Sequence, residues 1–167
     1  TVQFEQGEAR IYFDQPEHGE ITAIAAGENF ASGGVVGDIV VDFTLTVNEH
    51  YELVDWYVNN EAQNNNSYTF QYSHEEGVNA HIYVVLQGEE LNITAVSETG
   101  GTVAEIPETI RYGEDLLLQA TPSLGYEFAG WYKNGSPIDD AGATYNAGEQ
   151  SEDAVYTATF VPIEGYK

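Results

Sequence analysis

The chain has 167 residues, with 28 acidic side chains against four lysines and arginines and a formal net charge of −24. Such a field repels nucleic acid and anionic membrane surfaces, because phosphate binding needs clustered Lys and Arg. No cysteine is present, which excludes disulfides, thiolate metal sites and cysteine nucleophiles, and no apolar run reaches the roughly 18 residues of a membrane-spanning helix.

The acids read first as a solubilising, self-repelling surface. Divalent-cation sites, a basic partner and adaptation to high salt are sharper readings, and no acid cluster selects among them. With 42% hydrophobic and 13% aromatic residues, the composition is that of a folded chain rather than a disordered one. The chain begins at Thr1 with neither an initiator methionine nor a signal peptide, so it reads as an excised or processed segment.

In chain order, residues 2–4 look like a strand end belonging to a preceding module. A strand follows at residues 10–13, then a turn around Pro16 and Gly19, then a strand over 21–24. Residues 27–37 are rich in glycine and small side chains and read as a loop. The clearest element is 41–47, where Val41, Phe43, Leu45 and Val47 alternate with Asp42, Thr44 and Thr46. That period of two marks a half-buried strand with one wet face. Next come a strand rich in aromatics over 50–57, an asparagine-rich loop over 59–67, a short strand over 68–72, a turn over 73–77 and a closing strand over 81–86. No segment sustains a 3.6-residue apolar period, so at most one short helical turn per module is expected.

Residues 87–90 form a boundary too short to be a free linker, and the order then replays. Strands are expected over 91–95, 116–120 and 155–160, with a glycine-led segment at 100–103. Between the last two strands lies Gly125-Tyr126-Glu127-Phe128-Ala129-Gly130-Trp131-Tyr132, which echoes His50-Tyr51-Glu52-Leu53-Val54-Asp55-Trp56-Tyr57. The only two tryptophans sit at matching places, 75 positions apart (131 minus 56). The offset between copies drops from 82 (103 minus 21) to 76 (113 minus 37). About six extra residues therefore belong to the 27–37 loop of the first copy, where lengthening costs little. Repeats of this length indicate a tandem array of small modules, and each module of about 80 residues needs large aromatic anchors to fill a modest core.

The residues Gly101-Thr102-Val103, Tyr112-Gly113-Glu114, 116–120, 125–132 and 155–160 together resemble the internalin-type B-repeat family. These are also called Listeria–Bacteroides repeats, and the likeness is closest to their divergent branch. It covers residues 89–161 well. The first copy is degenerate, with His50 in place of the first glycine of the motif and Asp55 in place of the second. The resemblance implies a β-grasp-like module, found in tandem arrays of bacterial surface or secreted proteins that act as stalks, spacers or adhesive segments. The family has no general catalytic residues, and the resemblance implies none here.

Within the motif, Tyr126, Phe128 and Gly130 share one face of an ideal strand and Trp131 falls on the other. A bulge at Ala129-Gly130 would return Trp131 to the core. In the first copy Asp55 must accommodate that bulge without glycine's freedom. Tyr51, Leu53, Trp56, Gly125, Tyr126, Phe128, Gly130 and Trp131 are accordingly expected to be structural. Tyr57, Tyr132 and Tyr145 are the candidate ligand-facing aromatics, since amphipathic rings also serve binding surfaces.

Chemistry is sparse. His18, His50, His74 and His81 lack H-E-x-x-H or comparable ligand spacing. Ser73-His74-Glu75 holds triad residue types, but triads assemble in space rather than in sequence. Ser32-Gly33-Gly34 lacks the lysine of a phosphate loop. Pairs such as Glu75-Glu76, Glu89-Glu90 and Asp139-Asp140 would need a cleft to act as glycosidase carboxylates. No calcium-loop pattern occurs, and two lysines leave little scope for lysine–asparagine crosslinks. Asn65, Asn92 and Asn134 open N-x-[ST] triplets, which carry little weight in a bacterial chain of the kind the resemblance implies.

The expectation is therefore a mainly β chain of two tandem small β-grasp-like modules, with largely antiparallel sheets and little or no helix. The modules span residues 1–87 and 88–167, with 1–8 read as the end of a preceding one. Functionally the expectation is a non-catalytic spacer or adhesive segment of an extracellular or cell-surface protein, part of a longer multi-repeat chain. It would need no cofactor and no metal, insert in no membrane, bind no nucleic acid, and have a host or cell-surface protein or glycan as partner. A carbohydrate-binding module using exposed aromatics and an accessory domain of a secreted hydrolase are the alternatives.

Overall fold

The structure, a computed structural model, describes residues 8–35, 37, 39–74 and 77–167. The strand end expected at residues 2–4 and the Glu75-Glu76 pair lie outside the described residues. Among the described residues every regular element is a strand. The chain divides into two compact units, Thr1–Gln87 and Gly88–Lys167.

The first unit contains β1 (Arg10–Phe13), β2 (Gly19–Ala25), β3 (Glu28–Asn29), β4 (Gly34–Val35), β5 (Val40–Val47), β6 (Tyr51–Val58), β7 (Glu61–Ala62), β8 (Thr69–Ser73) and β9 (Ala80–Gly88). They form two sheets, ordered β4-β1-β9-β6-β7 and β3-β2-β5-β8. The alternation in β5 explains its place. Val41, Phe43 and Leu45 are buried while Asp42, Thr44 and Thr46 face outward. β5 lies antiparallel between β2 and β8, with Ile21 opposite Leu45 and Phe70 opposite Phe43. Ile11, Leu53, Trp56, Ala80 and Ile82 of the other sheet close the same core. Its aromatic centre is tight, with Trp56 stacked on Phe70 at 5.3 Å between ring centroids and tilted against Phe43 at 6.2 Å.

The second unit contains β10 (Glu90–Leu91), β11 (Ile93–Ser97), β12 (Gly101–Val103), β13 (Ile110–Arg111), β14 (Asp115–Pro122), β15 (Tyr126–Lys133), β16 (Ser136–Pro137), β17 (Thr144–Glu149) and β18 (Ala154–Pro162). The sheet orders are β11-β18-β15-β16, β12-β14-β17 and β10-β13. Leu116, Leu118 and Ala120 point inward from β14 against Trp131, Tyr156, Ala158 and Phe160. Tyr156 brings a hydroxyl into this core, and it donates to Gln150 Oε1 at 2.8 Å. Gln150, itself buried, passes its amide hydrogens to the carbonyls of Gly148 and Ala147. A buried polar pair is tolerated only when satisfied in this way.

The two units share one strand plan. In each, the first long-paired strand lies parallel to the last, β1 beside β9 and β11 beside β18. The last strand then neighbours the tryptophan strand, which turns back through a two-residue hairpin partner, β7 or β16. The buried indole N–H donates to a carbonyl eleven residues ahead in both: Trp56 to Ser67 at 2.8 Å, Trp131 to Gly142 at 3.0 Å. The asparagine after each tryptophan strand exchanges two bonds with the closing strand. Asn59 N–H donates to the His81 carbonyl and Asn59 Oδ1 accepts from His81 N–H; Asn134 does the same with Val155. Even the degenerate start of the motif conforms, for His50 takes the left-handed conformation (φ 68°) that Gly125 takes more easily (φ 85°).

The mainly β, largely antiparallel expectation holds, with local corrections. The 27–37 segment is not a plain loop: β3 folds back on β2, and β4 pairs with β1. Ile21 opposite Leu45 and Val103 opposite Ala120 place the longer connection of the first unit between β2 and β5, where β3 lies. The expected 91–95 strand breaks at Asn92, whose N–H turns to Asp153 Oδ1 at 2.7 Å. The bulge falls where the alternation required it: the register of β15 on β18 shifts between Phe128 and Gly130. Ala129 is the extra residue, and Trp131 drops fully into the core.

Trp131→Ala removes the largest side chain of the second core and should cost about 3–5 kcal/mol, a large share of the stability of a small domain. The expected outcome is an NMR spectrum in which residues 88–167 lose dispersion while β2 and β5 of the first unit keep theirs.

Candidate functional site

Where β1 and β9 run parallel, Ile11 and Ile82 turn inward. Period two then forces Tyr12, His81 and Tyr83 onto the opposite, outer face. Tyr12 and His81 are register partners. His81 and Tyr83, two residues apart on β9, have ring centroids 5.7 Å apart. On β6 the bulge-like break, with Asp55 and Trp56 consecutively buried, delivers Tyr57 to the outer face. There it lies parallel to Tyr83, at 5.1 Å and 6°, an offset stack of the kind aromatic rings favour.

Polar groups frame this aromatic strip. His81 Nε2 lies 2.7 Å from Asp14 Oδ2, with both side chains well exposed. The Tyr83 hydroxyl donates to Asn60 Oδ1 at 3.2 Å. Asn60 is the second of two consecutive asparagines in the left-handed conformation at the β6–β7 turn, so the turn itself presents the amide. At the other side Arg10, on β1, donates from Nη1 to the Gly33 carbonyl.

The matching face of the second unit has different chemistry. Thr94 and Val155 stand where Tyr12 and His81 stand, and Thr157 takes the place of Tyr83. Tyr132, register partner of Thr157, lines an open groove of about 580 Å³ with Glu98, Thr157, Thr159 and Val161. Thr159 Oγ1 donates to the Gly130 carbonyl across the bulge. At the end of β15, Lys133 pairs with Glu152 at 2.7 Å, and that hydrogen bond raises the lysine's pKa.

The aromatics singled out from sequence are thus dispersed. Tyr57 belongs to the outer strip of the first unit and Tyr132 to the groove of the second. Tyr145, on β17, packs instead against the second core. Among the motif residues, Trp56 and Trp131 are wholly buried, Leu53 belongs to the first core, and Tyr126 and Phe128 pack against the second. Tyr51 stacks on His18 at 3.8 Å and 12°. Tyr12, Asp14 and Tyr83 are not singled out in the sequence, and His81 only as one of four histidines without ligand spacing. The i, i+2 spacing of His81 and Tyr83 within a recognised strand was the available signal.

Asp139 and Asp140 are exposed in a turn, and Glu89 and Glu90 are exposed at the head of β10. His74 Nε2 lies 3.0 Å from the Val78 carbonyl. Among the described residues no three His, Asp or Glu side chains are placed to hold a metal ion.

In comparison with known proteins, residues 91–164 fit a family model described as the divergent InlB B-repeat domain. Neither the curated proteins nor the solved structures contain a match. The matched stretch includes Gly130 and not its counterpart Asp55.

At Asp55 the first unit solves the bulge differently. The carboxylate, 9% exposed, accepts from the N–H groups of Trp56 and Asn65 through Oδ1 and of Asn64 through Oδ2, all at 2.8–3.0 Å. One acid thereby holds the loop that must present the Ser67 carbonyl to Trp56. Gly130 needs no special conformation, and a Cβ there would meet nothing within 4 Å. Gly130→Ala should therefore stay within about 1 kcal/mol of the parent. Asp55→Ala strips partners from part-buried N–H groups and should cost about 3 kcal/mol. Urea unfolding of the two variants measures the contrast.

Proposed function

We propose, from the premise that residues 91–164 form a divergent InlB B-repeat domain, that this chain is a non-catalytic spacer segment of a bacterial surface protein, built from two such modules in succession. The family suggests a bacterial surface repeat domain and is typically surface-associated. No helix among the described residues is long and apolar enough to cross a membrane.

The observation that carries the reading is the repeated tryptophan anchor. Each unit buries its indole, directs the N–H to a carbonyl eleven residues on, and clamps the following asparagine to the closing strand. Modules that repeat one core are the building units of extended, quasi-one-dimensional proteins. Dense acidic charge suits such a segment, since like-charged surfaces keep neighbouring molecules apart.

An antibody raised against the 167-residue chain should label intact cells of the producing bacterium, and brief external proteolysis should remove the label. Labelling that appears only after lysis would overturn the surface assignment.

A further inference from the structure

The outer strip of the first unit has no role in the spacer reading, and the fold does not require it. The buried indole and the asparagine clamp recur in both units, whereas the outer face of the parallel pair differs. Tyr12, His81 and Tyr83 occupy positions that the second unit fills with Thr94, Val155 and Thr157. The same strands are built with either set. Four rings have therefore accumulated on one sheet face, Tyr12 (42% exposed), His81, Tyr83 and Tyr57, beside the carboxylate of Asp14 and the amide of Asn60.

We propose that this face, going beyond the spacer reading and independent of it, binds a glycan chain carrying free amino groups, of the β-linked glucosamine class. Pyranose rings present a face of C–H groups that packs on tyrosine, while their hydroxyls take up phenol, imidazole and amide partners. A row of rings that runs across the adjacent strands β1, β9 and β6 suits a chain of sugars rather than a single one. Charge decides which chain. Arg10 is the only Lys or Arg in residues 1–87, and its guanidinium is engaged with Gly33. The surrounding field is strongly negative, so sulfated and uronic glycans are repelled while ammonium groups are concentrated there. An ammonium over a tyrosine face adds a cation–π contribution.

The test titrates the full 167-residue chain with a glucosamine hexamer at low ionic strength by calorimetry. Binding is expected, and it should weaken with added salt because the attracting charges are exposed. The double substitution Tyr12→Thr with Tyr83→Thr installs the residues that the second unit already carries on the same strands. It should keep the parent's circular dichroism and lose affinity about tenfold or more. Tyr83→Phe, which keeps the ring, should bind much more like the parent than the threonine variant does. Tyr132→Thr, in the groove of the second unit, should leave binding unchanged. Absence of binding, or equal binding by the double variant, overturns the site. Equal affinity for the fully N-acetylated hexamer overturns the charge selection, and a lysine hexapeptide that binds this face as tightly overturns the glycan.

Discussion

A tryptophan cannot be buried in a small β-module without settling where its N–H goes, and this constraint organises both halves of the chain. The indole fills a core that aliphatic side chains alone would leave thin. Its donor must then meet an acceptor within the protein, because an unpaired buried N–H costs about as much as the hydrogen bond would give. Ser67 and Gly142 supply that acceptor from loops eleven residues downstream. Once the loop is pinned, the strand that follows it is delivered to the edge of the opposing sheet, beside β5 or β14. Core filling and strand order are thus fixed by the same side chain.

The bulge belongs to the same requirement. A strand with perfect alternation would carry Trp131 to the solvent side, since Tyr126 and Phe128 face inward. One extra residue, Ala129, reverses the phase. The two units show that glycine is not what makes this possible: Gly130 has an unremarkable backbone and open space around it, and Asp55 occupies the same place while holding three N–H groups. The first unit has added an internal brace where the second has a small residue and a threonine, Thr159, across the gap.

Much of this was legible in the residues. The strict alternation of 41–47 gave β5 its place and its buried face, and the paired tryptophans located the equivalent strands. Short elements were harder, because β3, β4, β13 and β16 have only two residues each and no period can be read from two positions. The strand Thr144–Glu149 carries no clean alternation of apolar and polar residues, and the sequence alone does not mark it. The aromatic strip was hidden for a different reason: it is assembled from three strands, and the neighbourhood of Tyr12 and His81 depends on a parallel pairing between residues 69 positions apart. Tyr145, a candidate ligand-facing ring by its amphipathic character, leans on the core from β17, which pairs with β14.

The parallel pairing has a mechanical meaning as well. In each unit a strand near the beginning of the unit lies alongside its last strand, both running the same way. Tension on the two ends therefore pulls these strands past one another along their length. All the hydrogen bonds between them are strained together, whereas strands pulled apart from one end would lose theirs one by one. A module wired in this manner gives way through a single concerted rupture, and its lifetime under load is set by an unfolding rate rather than by its equilibrium stability.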